Sequence, residues 1–400
     1  MKHIHLLKNS IQEYAWGSHT AIPDLLGTLS PSENPQAELW MGAHHKAPSL
    51  IKYNNQWQAI DKIIEMHPKA FLGEQVADKF LNRLPYLFKI LAASKPLSIQ
   101  AHPSREQAIE GFQRENRLGI PLDAYNRNYR DDNHKPECIC ALSDFWALCG
   151  FRRISEMLLL LSKISTPGLE SAIHDLSEKP DSKGLRIFFQ RLITMPKSEI
   201  EAILNKTMAK VGLYIQDDPV FKWMQILYEA YGNDFGVFSP VLLNLVCLKP
   251  GQALFLASGE LHAYLSGLGI ELMANSDNVL RGGLTPKHMD VPELLNVLTF
   301  EEKEIEILAP QQAGACEEVY PCPAEEFVLS VVKVKSGSSY QSRDSHTVEI
   351  VICIEGKARL SEYDSKATIS LSRGQSAIVP ARCGKYRIEG DGVLYKASVP

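Results

Sequence analysis

From residue 1 to about 150 the chain mixes short apolar runs with turn-forming clusters such as Asn9-Ser10 and Ser30-Pro31-Ser32-Glu33-Asn34-Pro35. Such punctuation predicts strands joined by loops, with some helix. From about 152 to 245 the period lengthens: Ile154, Met157, Leu158, Leu161 and Ile164, then Phe188, Phe189, Leu192 and Ile193, recur at spacings of three and four. That spacing places them on one side of a helix. Pro167-Gly168 and Pro180-Asp181-Ser182 separate these helices, and Phe221, Met224, Ile226 and Leu227 continue the pattern. After Lys249-Pro250-Gly251-Gln252 short runs return, first ahead of His262, then as Val328 to Val332, Val348 to Ile352 and Ala377 to Pro380. The chain is therefore expected to be mainly β with a helical insertion, its short strands and Gly-containing turns suiting a sandwich or jelly roll.

Strand alternation draws attention to four residues. Gln100 and His102 lie two apart and would share one face of a strand, which Glu137 and His262, each beside an apolar run, could join from neighbouring strands. Two imidazoles, a carboxylate and an amide oxygen suit a divalent ion such as zinc with one position left open. Spacing alone does not decide this. The chain has 12 His, and a histidine among apolar residues is equally a core or surface residue; His3 and His5 copy the spacing without a carboxylate nearby.

A net charge of -5 over 400 residues gives no basic face for nucleic acid. The N-terminus lacks the apolar core of a signal peptide, and no stretch approaches the roughly 18 apolar residues of a membrane span, so a cytoplasmic protein with no membrane partner is expected. Eight Cys without a paired CxxC pattern are expected to be reduced and mostly buried. The glycines at 267, 269, 282 and 283 fit neither a dinucleotide nor a P-loop pattern, and Ser258-Gly259 lacks the full nucleophile-elbow motif.

The segment from Gly269 to His288 gathers Glu271, Asp277, Arg281 and Lys287 among glycines and amides. It is either a site or a solvated loop with a helix cap at Thr285. Together, Tyr14-Ala15-Trp16-Gly17, Ala37-Glu38-Leu39-Trp40-Met41-Gly42, Gln100-Ala101-His102-Pro103, Asn133-His134-Lys135-Pro136-Glu137 and the run from Asn275 to His288 resemble the type I mannose-6-phosphate isomerase (phosphomannose isomerase) family. The resemblance covers most of residues 1–150 and 245–300. It implies a cupin/jelly-roll catalytic domain over 1–151 and 246–310, a helical domain over 152–245 and a C-terminal cupin-like β domain over 311–400. It also implies a zinc enzyme, with one Zn2+ per chain, that interconverts mannose 6-phosphate and fructose 6-phosphate, a small sugar phosphate being its partner; a monomer is expected, although the sequence itself does not reveal the oligomeric state.

Carried over residue by residue, the resemblance puts the metal on Gln100, His102, Glu137 and His262 and the essential arginine on Arg281. It places His134, Lys135, Glu271 and Asp277 at the reacting end of the sugar, and Ser98 and Lys287 at the phosphate. Trp16 is a further substrate-binding candidate, although it and Trp40 equally suit a core or wall. His45 departs from the pattern, which has proline after His44. Moving a proton between C2 and C1 through an enediol needs a base and an electrophile; His134 or Lys135 suits the base better than Glu271 or Asp277, since these groups titrate or can be tuned near neutrality. The segment from Ser345 to Lys357 offers a single histidine, His346, so the last domain is expected to be structural. A sugar-phosphate sensor could dispense with Arg281 and its acidic neighbours, and a cupin oxygenase would use two histidines and a carboxylate without the amide.

Overall fold

The computed structural model describes residues 2–400. Two large antiparallel sheets dominate. One has ten strands and runs Leu243–Leu248, Phe145–Phe151, His262–Ala274, Tyr86–Ala93, Glu38–Gly42, Ser10–Gln12, with Gln100–Ala101, Glu137–Ala141, Ala253–Leu256 and Leu280–Arg281 attached beside His262–Ala274. The other has nine strands, its spine being Ser376–Val379, Glu349–Glu362, Tyr386–Ser398 and Val328–Val334. The first strand of the chain, His5–Leu6, pairs with Ser376–Val379 in this second sheet, so the N-terminus is not confined to the sheet that follows it in sequence.

Between Phe151 and Leu243 lie five helices of nine to fifteen residues, Ile154–Ile164, Glu170–Glu178, Ser182–Ile193, Lys197–Val211 and Pro219–Tyr231. The residues with three-and-four spacing, among them Met157, Leu161, Phe188, Phe189 and Leu192, are buried together against Ile99, Leu148, Leu280 and Leu284 of the sheet region. The helices end earlier than their periodicity suggests, because Leu243 already opens a strand.

Tyr86–Ala93 is buried along its whole length, yet its alternation persists. Tyr86, Phe88, Ile90 and Ala92 enter a core that also holds Cys138, Cys140, Ile270 and Leu272 from the same sheet and Phe327, Leu329, Ile350 and Ala397 from the other. Leu87, Lys89 and Leu91 face the opposite way, into a cavity. The two sheets thus share one core, and the cavity lies on the far side of the first. All eight cysteines are free thiols, five of them buried.

His262–Ala274 changes partners midway: His262 to Ser266 pair with Phe145–Phe151, and Gly267 to Ala274 pair with Tyr86–Ala93. Gly267 at the changeover has φ +130°, and a Cβ there would come within 2.7 Å of the Asp144 carbonyl, which only glycine avoids. Because the shared core couples both sheets, Phe327→Ala should cost about 3–5 kcal/mol in denaturant unfolding. Leu213→Ala, on an exposed position, should stay within about 0.5 kcal/mol.

Candidate metal centre and substrate cavity

The long central strand carries His262 at one end and Glu271 near the other. Register places His262 opposite Gln100, Gln100 opposite Arg281, Met273 opposite Glu137 and Glu271 opposite Lys89. Residues more than a hundred positions apart therefore converge on one sheet surface.

His102 and His262 both point Nε2 at the Glu137 carboxylate, at 3.2 and 3.5 Å. Their Nδ1 atoms meet main-chain carbonyls, Asn278 at 2.7 Å and Glu260 at 3.0 Å. A carbonyl only accepts, so the proton sits on Nδ1 in each ring and the Nε2 lone pairs stay free. Both Nε2 atoms are buried with no hydrogen-bond partner. An unpaired buried polar atom is costly, and two of them beside a carboxylate make a cation the natural occupant. Burial, then the Lys135 ammonium, push His102 down to about 4, which keeps it neutral and able to ligate. Burial opposes the charge on Glu137, but Lys135 and the imidazoles hold its carboxyl well below the usual range; Lys135 Nζ lies 2.8 Å from Oε1. Gln100 lines the adjoining cavity.

That cavity encloses about 860 Å³. Of the other residues singled out in the sequence, Trp16, Ser98, Lys135, Glu271, Asp277, Arg281 and Lys287 line it. Arg281 and Lys287 are each lowered first by burial and then by neighbouring cations, Arg130 for both and Arg281 for Lys287. Cations that repel one another at one rim, with Arg281 Nε buried and unpartnered, make an anion site. Trp16 forms wall, its ring 5.7 Å from that of Tyr14.

His134 does not join this lining. Its Nε2 meets Glu326 at 2.7 Å and Arg105 at 2.9 Å, because the loop before Glu137 turns it toward the segment leading into the second sheet. Thr285 caps no helix: the helix Val291–Val297 is capped by the Asp290 side chain. In the second sheet His346 hydrogen-bonds the Thr347 and Gly384 carbonyls.

Sequence reasoning missed Lys89, Tyr264 and Arg130. Lys89 Nζ is 2.8 Å from Glu271 Oε2 and 3.8 Å from Glu38 Oε1, and lies over the Trp40 ring. Burial opposes its charge, but Glu271 and Glu38 hold it protonated. Burial in turn raises the Glu271 carboxyl. Tyr264 Oη bridges Glu271 at 2.9 Å and Glu137 at 3.3 Å. A lysine inside the apolar run Tyr86 to Leu91 was the available signal for the first of these.

A buried cluster of two imidazoles and a carboxylate, opening on a cavity rimmed by cations, defines a metal-dependent enzyme for a small anionic substrate. A family model described as phosphomannose isomerase type I, catalytic domain, matches residues 4–154, and one described as mannose-6-phosphate isomerase, cupin domain, matches residues 317–398. The chain is 41% identical to a mannose-6-phosphate isomerase of Salmonella typhimurium over 391 residues, covering 97% of each, and 31% identical to the human one, covering 92% of this chain and 91% of that one. A crystal structure of a zinc-bound mannose 6-phosphate isomerase superposes with TM-score 0.90 at 39% identity over 99% of both chains. This chain belongs to the type I mannose-6-phosphate isomerase family.

Lys89→Met should destabilise the protein by about 3–5 kcal/mol, since it strands a buried carboxylate. Adding Glu271→Leu should recover most of that loss in the same unfolding measurement.

Proposed function

We propose that this chain interconverts mannose 6-phosphate and fructose 6-phosphate, using a zinc ion held by Gln100, His102, Glu137 and His262. The observation that carries this is the pair of buried, unpartnered Nε2 atoms facing Glu137 inside the cation-rimmed cavity. Zinc, when bound, supplies Lewis-acid polarisation of the sugar oxygens.

Arg281 and Lys287, with Ser98, hold the phosphate and so fix C1 and C2 at the inner end of the cavity, where binding energy serves orientation. Proton transfer between C1 and C2, through an enediol, is assigned to Lys135. It is buried beside the ligand cluster, with Nζ 2.8 Å from Glu137, and as the free amine it would accept the proton from one carbon and return it to the other. Asp277 is a weaker candidate: burial would raise it, but His44 and Lys46 hold its carboxyl well below the usual range, leaving little proton affinity. Glu271 has both oxygens engaged, by Lys89 and Tyr264, and is assigned to fixing the cavity floor. His134 is assigned a positioning role through Arg105 and Glu326. The enzyme would work as a cytoplasmic monomer, with residues 152–245 as a helical domain beside the catalytic 1–151 and 246–310, and 311–400 as a cupin-like domain.

A coupled assay for fructose 6-phosphate formation should show turnover that a chelator abolishes and zinc restores; absence of turnover with metal restored sinks the proposal. His262→Ala and Glu137→Gln should lose both activity and bound zinc by elemental analysis, and full zinc content in inactive His262→Ala would remove it from the ligand set. Lys135→Met should lower kcat by about 10²- to 10⁴-fold, whereas Lys287→Ala should act mainly on KM.

A further inference from the structure

A second group of metal-ligating side chains lies at the rim of the cavity and shares no residue with the buried cluster. His44 Nε2 is 3.5 Å from Asp277 Oδ1 and His45 Nε2 is 3.8 Å from Asp277 Oδ2. One ligand atom from each of the three residues falls within 4.8 Å of the others. The geometry points to a solvent-accessible site for a divalent metal of the zinc type, formed by His44, His45 and Asp277, additional to the buried centre.

Three features hold this group in place. His44 is buried and packs edge-on against Trp40, with ring centroids 4.8 Å apart, and His45 stacks on His44 at 4.6 Å. Asp277 is anchored through its own N–H, which donates to Asp131 Oδ2 at 2.7 Å. Two imidazoles and a carboxylate are a borderline-soft donor set, and the exposure of His45 leaves room for water on the remaining positions. Burial and the neighbouring His44 lower the proton affinity of His45, which favours the ligating form.

Two contacts compete with a metal. Lys46 Nζ sits 2.9 Å from Asp277 Oδ2, but this side chain is half-exposed on a flexible stem and can withdraw into solvent. The Lys46 N–H also points at His44 Nδ1 across 3.4 Å, a weak contact that is given up when the proton moves to Nδ1 and Nε2 takes the metal. The site is therefore weaker than the buried one and fills after it.

Equilibrium dialysis of the zinc-loaded protein against rising free zinc, read by elemental analysis, tests this independently of substrate. Wild type should take up a second equivalent per chain. His45→Ala should weaken that uptake by roughly tenfold or more while leaving the first equivalent and basal turnover unchanged. Lys46→Ala should tighten it. No second equivalent in wild type at millimolar zinc, or the same second affinity in His45→Ala, overturns the site.

Discussion

The Glu137 carboxylate is buried where the first sheet meets the cavity, and much of the surrounding structure answers to its charge. An isolated carboxylate in such a place costs several kcal/mol. Here Lys135 contacts one oxygen and two imidazoles approach both, with Tyr264 as a further donor. The imidazoles cannot complete the compensation while their Nδ1 protons are committed to carbonyls on the other side. A cation between them satisfies all three groups together, so metal affinity and folding of this region are linked.

The same sheet surface carries a second compensated charge one strand away. Lys89 answers Glu271 and Glu38, and Tyr264 ties Glu271 back to Glu137. These contacts link polar groups on the cavity face of strands whose other face packs into the shared, mainly apolar core. A single β-strand serves both, since alternate residues point to opposite sides. That division lets the cavity sit directly on a hydrophobic core without loops intruding between them.

Much of this was legible in the sequence, and its limits are physical. The helical block followed from a period set by residues a turn apart, which needs no tertiary knowledge. Gln100, His102, Glu137 and His262 could be grouped because strand alternation restricts which neighbours share a face, although their convergence depended on register. His134 was misplaced because its partner, Glu326, lies 192 residues away on the approach to the second sheet, and sequence spacing says nothing of that contact. Lys89 was visible as a charge in an apolar run, but its meaning required Glu271, 182 residues distant. Arg130 gave no signal, being one cation in a polar loop until folding sets it beside Arg281.

The segment from Asn275 to Val279 shows how positioning is delegated to the main chain. Asp131 accepts from Ser276 Oγ and the Asp277 N–H, and the Asn278 side chain donates to the Asp131 and Asn133 carbonyls while accepting from the Arg130 N–H. The Asn278 carbonyl is then fixed where it receives the His102 Nδ1 proton. One hydrogen-bonded loop therefore sets the tautomer of His102, the place of Asp277 at the rim and the start of the strand bearing Arg281. The density of amides and acids that marked this stretch in the sequence reflects that fastening as much as direct contact with substrate. A residue here need not touch the sugar for its loss to disturb the inner and outer ends of the cavity together.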